Sequence, residues 1–183
     1  MRYLLPLVFI VIVLIFIVGC TSENKSSTLD PSEMALQISD LPSGYVKTNS
    51  DTINLVQNNQ NFWNVKKGYQ VGFAKGSTKT DIVIVGQAIL VVPIDKINQV
   101  LPNISSQYGK MGTQVVQLSN PDIGDSSIAF RVENPQEGFE TSGESFNIAF
   151  VKQDVVEIIV MTGAQTDYDV LKTLAKKALE KIK

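Results

Sequence analysis

The chain contains no histidine. That removes the commonest general base and the commonest zinc ligand together. Ser-His-Asp and Cys-His nucleophilic arrangements go with it. Cysteine occurs once, at Cys20, so no disulfide within the chain staples the fold. The only arginines are Arg2 and Arg131, which leaves little for bidentate phosphate or carboxylate clamps. The net charge of −2 is too mild for a nucleic-acid surface, and no basic-aromatic pattern accompanies it. A Ser-Lys dyad is conceivable from composition, but no Ser-x-x-Lys stretch occurs within residues 30–183.

What is present begins with the first twenty residues. Arg2 precedes an uncharged apolar run, Tyr3 to Val18, which ends Ile17-Val18-Gly19-Cys20. The run is long for a signal-peptide core and short for a membrane span of about 20 residues. Its end resembles the lipobox of bacterial and archaeal lipoproteins, with Ile17 where Leu is commonest. That resemblance implies cleavage before Cys20 and a diacylglyceryl thioether on its thiol. An uncleaved N-terminal anchor with an incidental cysteine is the other reading. Either way the rest of the chain is expected outside the cytoplasmic membrane. The expected division is a signal peptide at 1–19, a lipidated cysteine and polar tether at 20–29, and one domain at 30–183. A domain of that length can bury about 70% of its unfolded surface without staples.

Within the domain, Asp30-Pro31-Ser32-Glu33 has capping-box chemistry and predicts a short helix to about Ser39. Leu41-Pro42-Ser43-Gly44 is a turn, and Tyr45-Val46 opens a strand. Residues 49–68, rich in amides, read as a loop or a partly helical crossing. Tyr69, Val71 and Phe73 alternate with period two. Ile82 to Val92 is a nearly unbroken β-branched run. It predicts a central strand covered on both faces, with a bulge at Gly86-Gln87. Ile94, Ile97, Leu101, Ile104 and Tyr108 lie on one helical face, with Pro102 expected to kink or split the helix. Strands follow near 113–118, 127–132, 146–150 and 155–161, the later ones joined by hairpin-length turns. The last helix carries an apolar stripe, Leu171, Leu174, Ala175, Ala178, Leu179 and Ile182. Thr166 with Asp169 reads as its cap. The fold class is α+β, a mostly antiparallel sheet packed by helices.

Several passages carry a resemblance over residues 40–183. These are Leu41-Pro42-Ser43-Gly44-Tyr45, the strand running into a helix through Pro93, Gly124–Phe130, and the hairpin passage Phe150–Ile158 before the C-terminal helix. In order and spacing the chain resembles small extracytoplasmic lipoproteins of archaea and actinobacteria with the Mog1/PsbP-like α/β/α sandwich fold. The resemblance implies a binding or assembly-accessory role, with no catalytic residue to carry over and no cofactor.

For binding, Phe62, Trp63 and Tyr69, with Lys66, Lys67 and flanking amides, have the composition of a recognition surface for a small ligand or an envelope protein. The competing expectation is that Trp63 plugs one end of the core. Asp122 and Asp125, with Glu133, Glu137, Glu140 or Glu144, offer carboxylates to a cation. Acidic turn residues are more often solvated, and no metal site is assigned. The alternative to a binding module is a carboxylate-based hydrolase of envelope glycans using Asp122, Asp125 and Glu133. Lys172, Lys176, Lys177, Lys181 and Lys183 give the last helix a basic face. It serves either anionic headgroups beside the anchor or simply solvent and the helix dipole. Asn24 and Asn103 sit in N-glycosylation sequons.

Overall fold

In a computed structural model of the chain, the described residues are 29–53, 63–78, 81–110, 114–133 and 144–183. Seven strands form one sheet: β1 (Val46–Thr52), β2 (Lys67–Lys75), β3 (Val83–Val91), β4 (Gln114–Gln117), β5 (Ser126–Glu133), β6 (Ser145–Lys152) and β7 (Val155–Gly163). Their spatial order is β1-β2-β3-β7-β6-β5-β4, and every pairing is antiparallel. Two meanders therefore meet where β3 pairs with β7. Helix α1 (Ile94–Lys110) carries the chain from the centre of the sheet to its far edge. Helix α2 (Tyr168–Leu179) follows β7. The class is α+β, as the periodicities predict. No helix among the described residues is long and apolar enough to cross a membrane.

Alternation along the strands sends side chains to two clusters. Val71 and Phe73 of β2, Val85 and Ile89 of β3, Ile148 and Phe150 of β6, and Ile159 and Met161 of β7 meet Leu171, Leu174, Ala175 and Ala178 of α2. The intervening Phe130, Val132, Ala149, Val151 and Val156 meet Ile97, Val100, Leu101 and Ile104 of α1. Because strand neighbours point to opposite faces, the two helices cover opposite sides of the sheet.

The local chemistry is realised with four differences. Asp30 and Glu33 do form reciprocal cap bonds, Ser32 N to Asp30 Oδ1 at 3.1 Å and Asp30 N to Glu33 Oε2 at 3.2 Å. Yet no helix follows: Pro31–Glu33 make a hydrogen-bonded turn, and only a 3-10 turn at Ile38–Asp40 comes after it. Met34, Ala35 and Leu36 are fully buried there, and the Leu36 N–H bonds the Gln87 side chain instead of a carbonyl one turn back. Residues 29–41 thus form an irregular strap across the α2 face. Second, residues 49–52 belong to β1, and the bulge lies there, between Lys47 and Asn49. The pairing of β3 runs unshifted through Gly86 and Gln87 on both sides. Third, α1 is not split at Pro102. Buried Ile97, Val100, Leu101 and Ile104 on both sides of the proline offset its cost of about 3 kcal/mol. Fourth, the cap of α2 is Asp167, whose Oδ1 accepts from Asp169 N at 2.8 Å and Val170 N at 3.2 Å.

Candidate functional site

Of the sequence-predicted site residues, Cys20, Phe62, Glu137 and Glu140 lie outside the described residues. Trp63 is half-buried and packs with Ile53 and Val65 against the α1-side cluster. Tyr69 is half-buried on β2 and packs against the α2-side cluster. The two rings therefore do not line one surface.

The acidic candidates are engaged in structural bonds. Asp125 Oδ1 accepts from Lys152 Nζ at 2.8 Å, and its Oδ2 accepts from Gln153 N at 2.7 Å. Burial raises the Asp125 pKa, but Lys152 and the Gln153 amide outweigh it and hold the carboxyl below its ordinary value. Together with the Asp125 N to Val151 O bond at 2.7 Å, this latches the β6–β7 turn, where Gln153 takes a positive φ of 58°. Glu133 pairs with Arg131, which also reaches Glu144 at 3.1 Å. Asp125 and Glu133 stand at opposite ends of β5, about 26 Å apart at 3.3 Å per residue. Paired-carboxylate glycoside hydrolysis needs about 5 to 10 Å, so these two do not form such a pair. Asp122 sits in the turn with a positive φ of 53° and its N–H donates to Asn120 Oδ1. Among the described residues no three His, Cys, Asp or Glu side chains are grouped to hold a metal ion.

Trp63 shares its face with a more open surface. On the α1 side, Ile84, Gly86 and Ala88 of β3 are half-exposed, as are Ile158, Val160 and Thr162 of β7. The expectation that β3 is covered on both faces is therefore corrected for these positions, because α1 lies over β4, β5 and β6. The register sets Ile84 beside Thr162, Gly86 beside Val160 and Ala88 beside Ile158. A Cβ on Gly86 would meet nothing within 4 Å. The β1 bulge places Thr48 and Asn49 over Gly72, with Asn49 Oδ1 at 2.2 Å from where a Gly72 Cβ would stand. On the other side, Asn147 pairs with Val160 and is fully buried. Its Nδ2 makes long bonds to Ser145 O at 3.3 Å and Ser145 Oγ at 3.4 Å. Its Oδ1 accepts no hydrogen bond among the described residues. The result is an apolar shelf with amide and hydroxyl edges and no charge in these rows. It suits an uncharged ligand or partner surface.

The opposite face holds a buried polar relay. The Leu36 N–H donates to Gln87 Oε1 at 2.8 Å, and Gln87 Nε2 donates to Glu157 Oε2 at 2.6 Å. Glu157 is fully buried, and its Oε1 has no partner among the described residues. Burial raises the carboxyl, the Gln87 hydrogen bond and the Lys181 charge offset this only in part, and the result stands at about 8. Sequence reasoning gives neither residue a polar role: Gln87 is read only as part of a bulge, and Glu157 not at all. The available signal was one polar side chain inside each β-branched run, Gln87 in Ile82–Val92 and Glu157 in Val155–Met161.

At the chain's end, the strap and α2 enclose an open cleft of about 590 Å³ lined by Leu29, Glu33, Asp40, Lys177, Glu180, Lys181 and Lys183. Lys177 Nζ donates to the Asp40 backbone carbonyl, and Lys181 Nζ meets Asp40 Oδ2 at 3.0 Å. Burial raises the Asp40 pKa, but the Gln37 N–H and the two lysines bring it below the ordinary carboxylate value. Asp40 thus clasps the strap to α2. Of the basic face, Lys172 is spent on Asp169 at 2.6 Å and on the Tyr168 ring. Asn103 is exposed in α1, and its amide donates to the Gln99 carbonyl at 2.6 Å. The chain matches no protein-family model, no curated protein and no solved structure.

Proposed function

We propose that this chain is a lipid-anchored extracytoplasmic module that binds an envelope protein or a small uncharged ligand, on a Mog1/PsbP-like α/β/α sandwich. The leader ending in Gly19-Cys20 supports the anchor, because a thiol is the nucleophile that a thioether lipid needs. Helices on opposite faces of an antiparallel sheet support the sandwich. The observation that carries the binding reading is the uncharged, half-open shelf at Ile84, Gly86, Ala88, Ile158 and Val160, on the same face as Trp63. Apolar surface left half-exposed and contiguous in this way is the kind that binding sites use.

A photo-crosslinking amino acid at Gly86, where added atoms meet open space, tests the binding reading in native membranes. Adducts should form from Gly86 and not from the exposed edge residue Lys47. Equal capture from both positions, or none from Gly86, sinks the shelf as the binding surface. The anchor is tested separately. Cys20→Ser should release the domain from membranes or leave an unprocessed precursor. Processing and membrane retention like the wild type would mean that the apolar run itself is the anchor.

A further inference from the structure

We propose that residues 29–41 are a pH-gated strap, held on the sheet while Glu157 carries its proton and released when Glu157 ionises, so that the domain's link to its anchor lengthens. The consequence for the anchor rests on the lipid-anchored reading; the release itself does not.

The strap is the least interlaced cover on this face. Met34, Ala35, Leu36 and Leu41 are buried against the α2-side cluster, but the strap contributes no strand to the sheet. One backbone bond to the sheet side is the Leu36 N–H to Gln87 Oε1, and Gln87 passes directly to Glu157. By contrast α2 buries Leu171, Leu174, Ala175 and Ala178 and keeps its own backbone ladder. Local opening takes the segment with the fewest regular backbone bonds first.

The groups around Glu157 decide what ionisation does. The one charge that acts on it is Lys181, just past the end of α2, and Lys181 is engaged by Asp40 of the strap, as is Lys177 of α2. Across the β3 register Glu157 faces Ile89, and across the β6 register it faces Phe150. Gln87 beside it is uncharged, and the phenols of Tyr45 and Tyr69 pack on the same cluster. No cation is hydrogen-bonded to the carboxyl, and Oε1 has no donor among the described residues. A protonated Glu157 is neutral and sits in the apolar layer at modest cost. An ionised Glu157 leaves a buried charge with one bare oxygen, which only water can satisfy. Lifting the strap admits that water. The carboxyl stands at about 8, so the transition falls within the range that an extracytoplasmic protein meets. Thirteen released residues, 29–41, span at most roughly 45 Å when fully extended.

The test is hydrogen exchange by mass spectrometry on the full chain in neutral detergent micelles, from pH 5.5 to 8.5, corrected for intrinsic exchange rates. Protection of peptides spanning Leu36 should fall roughly tenfold per pH unit up to the Glu157 transition. Peptides from α2, β3 and β7 should keep their protection. Glu157→Gln should make strap protection independent of pH, and Glu157→Met serves if the amide variant does not fold. Strap protection that stays constant in the wild type overturns the proposal. So does a decline that persists in the variants, or one shared equally by the strap and the strands. The same strap behaviour is expected in Cys20→Ser, so a failure of the anchor reading is seen separately.

Discussion

Gln87 on β3 and Glu157 on β7 are diagonal neighbours, each standing two residues from the other's cross-strand partner. The register pairs Gln87 with Ile159 and Glu157 with Ile89, and their side chains meet at 2.6 Å in a layer closed to solvent. This contact joins the two meanders by side chains where the ladder already joins them by backbone. It also stores a titration in the centre of the sheet.

Stability should therefore fall as pH rises from 5 to 8. Glu157 has its folded pKa raised, from an ordinary 4.5 to about 8. The folded protein then holds a proton that the unfolded chain has released. The stability involved is fully present below the ordinary value and is lost as pH rises through the folded one. The slope is about 1.4 kcal/mol per pH unit, and the whole window amounts to roughly 5 kcal/mol. Opening of the strap caps the loss once it costs less than a buried charge. Glu157→Gln removes the titration and keeps an acceptor for Gln87. Urea unfolding at pH 5 and pH 8 should show the variant gaining several kcal/mol on the wild type at pH 8 only. Equal pH profiles would mean that Glu157 is hydrated in the folded state.

Gln87→Leu should destabilise by about 2 to 4 kcal/mol near pH 6, since it strands both the Leu36 N–H and the Glu157 carboxyl. Adding Glu157→Leu should recover part of that loss, because an apolar pair leaves one orphan instead of two. A double-mutant cycle in urea measures the coupling directly. Strict additivity of the two substitutions would show that the relay is not a unit.

These relationships explain which parts of the fold were legible beforehand. Tyr69-Val71-Phe73 and Phe146-Ile148-Phe150 announce their strands because a period of two is a local property. The spacing of Leu171, Leu174, Ala175 and Ala178 announces α2 for the same reason. The relay was invisible because 70 residues separate its members and only the β3–β7 pairing brings them together. The strap shows the same limit. The cap bonds expected at Asp30 and Glu33 form, but the helix expected after them does not, and a distant side chain, Gln87, takes the Leu36 N–H. The shelf followed from neither composition nor periodicity. It exists because α1 crosses over β4 to β6 and leaves alternate residues of β3 half-covered, which depends on strand order.

The Asp40 clasp acts at the other end of the pH scale. Its carboxylate accepts from Gln37 N at 2.7 Å and from Lys181 at 3.0 Å, and its pKa lies below the ordinary value. The stability it contributes is present above that ordinary value and lost as pH falls through the folded one. Asp40→Asn keeps the Gln37 acceptor and removes the charge, so it should cost about 1 kcal/mol at pH 6, as a partly exposed pair does. Thermal melts should converge for wild type and variant near pH 2. A gap of the same size at pH 2 and pH 6 would assign the effect to packing rather than charge.

Two glycines on β3 and β7 test the openness of the shelf. A Cβ on Gly86 meets nothing within 4 Å, and its backbone φ is not positive. Gly86→Ala should therefore be neutral or stabilising by up to about 1 kcal/mol, since glycine in a strand carries an entropic penalty. Gly163, at the end of β7, has φ +131° and its Cβ would stand 2.1 Å from the Ile82 carbonyl oxygen. Gly163→Ala should destabilise by about 2 kcal/mol or more, from strained backbone and displacement of the neighbouring strand. Both substitutions add one methyl group to the central pair β3–β7, so strand propensity cannot separate them. Urea midpoints that differ in this direction show that atoms added over Gly86 enter free space. Comparable losses at both positions would mean that Gly86 is covered in the folded protein, and the shelf would be lost as a binding surface.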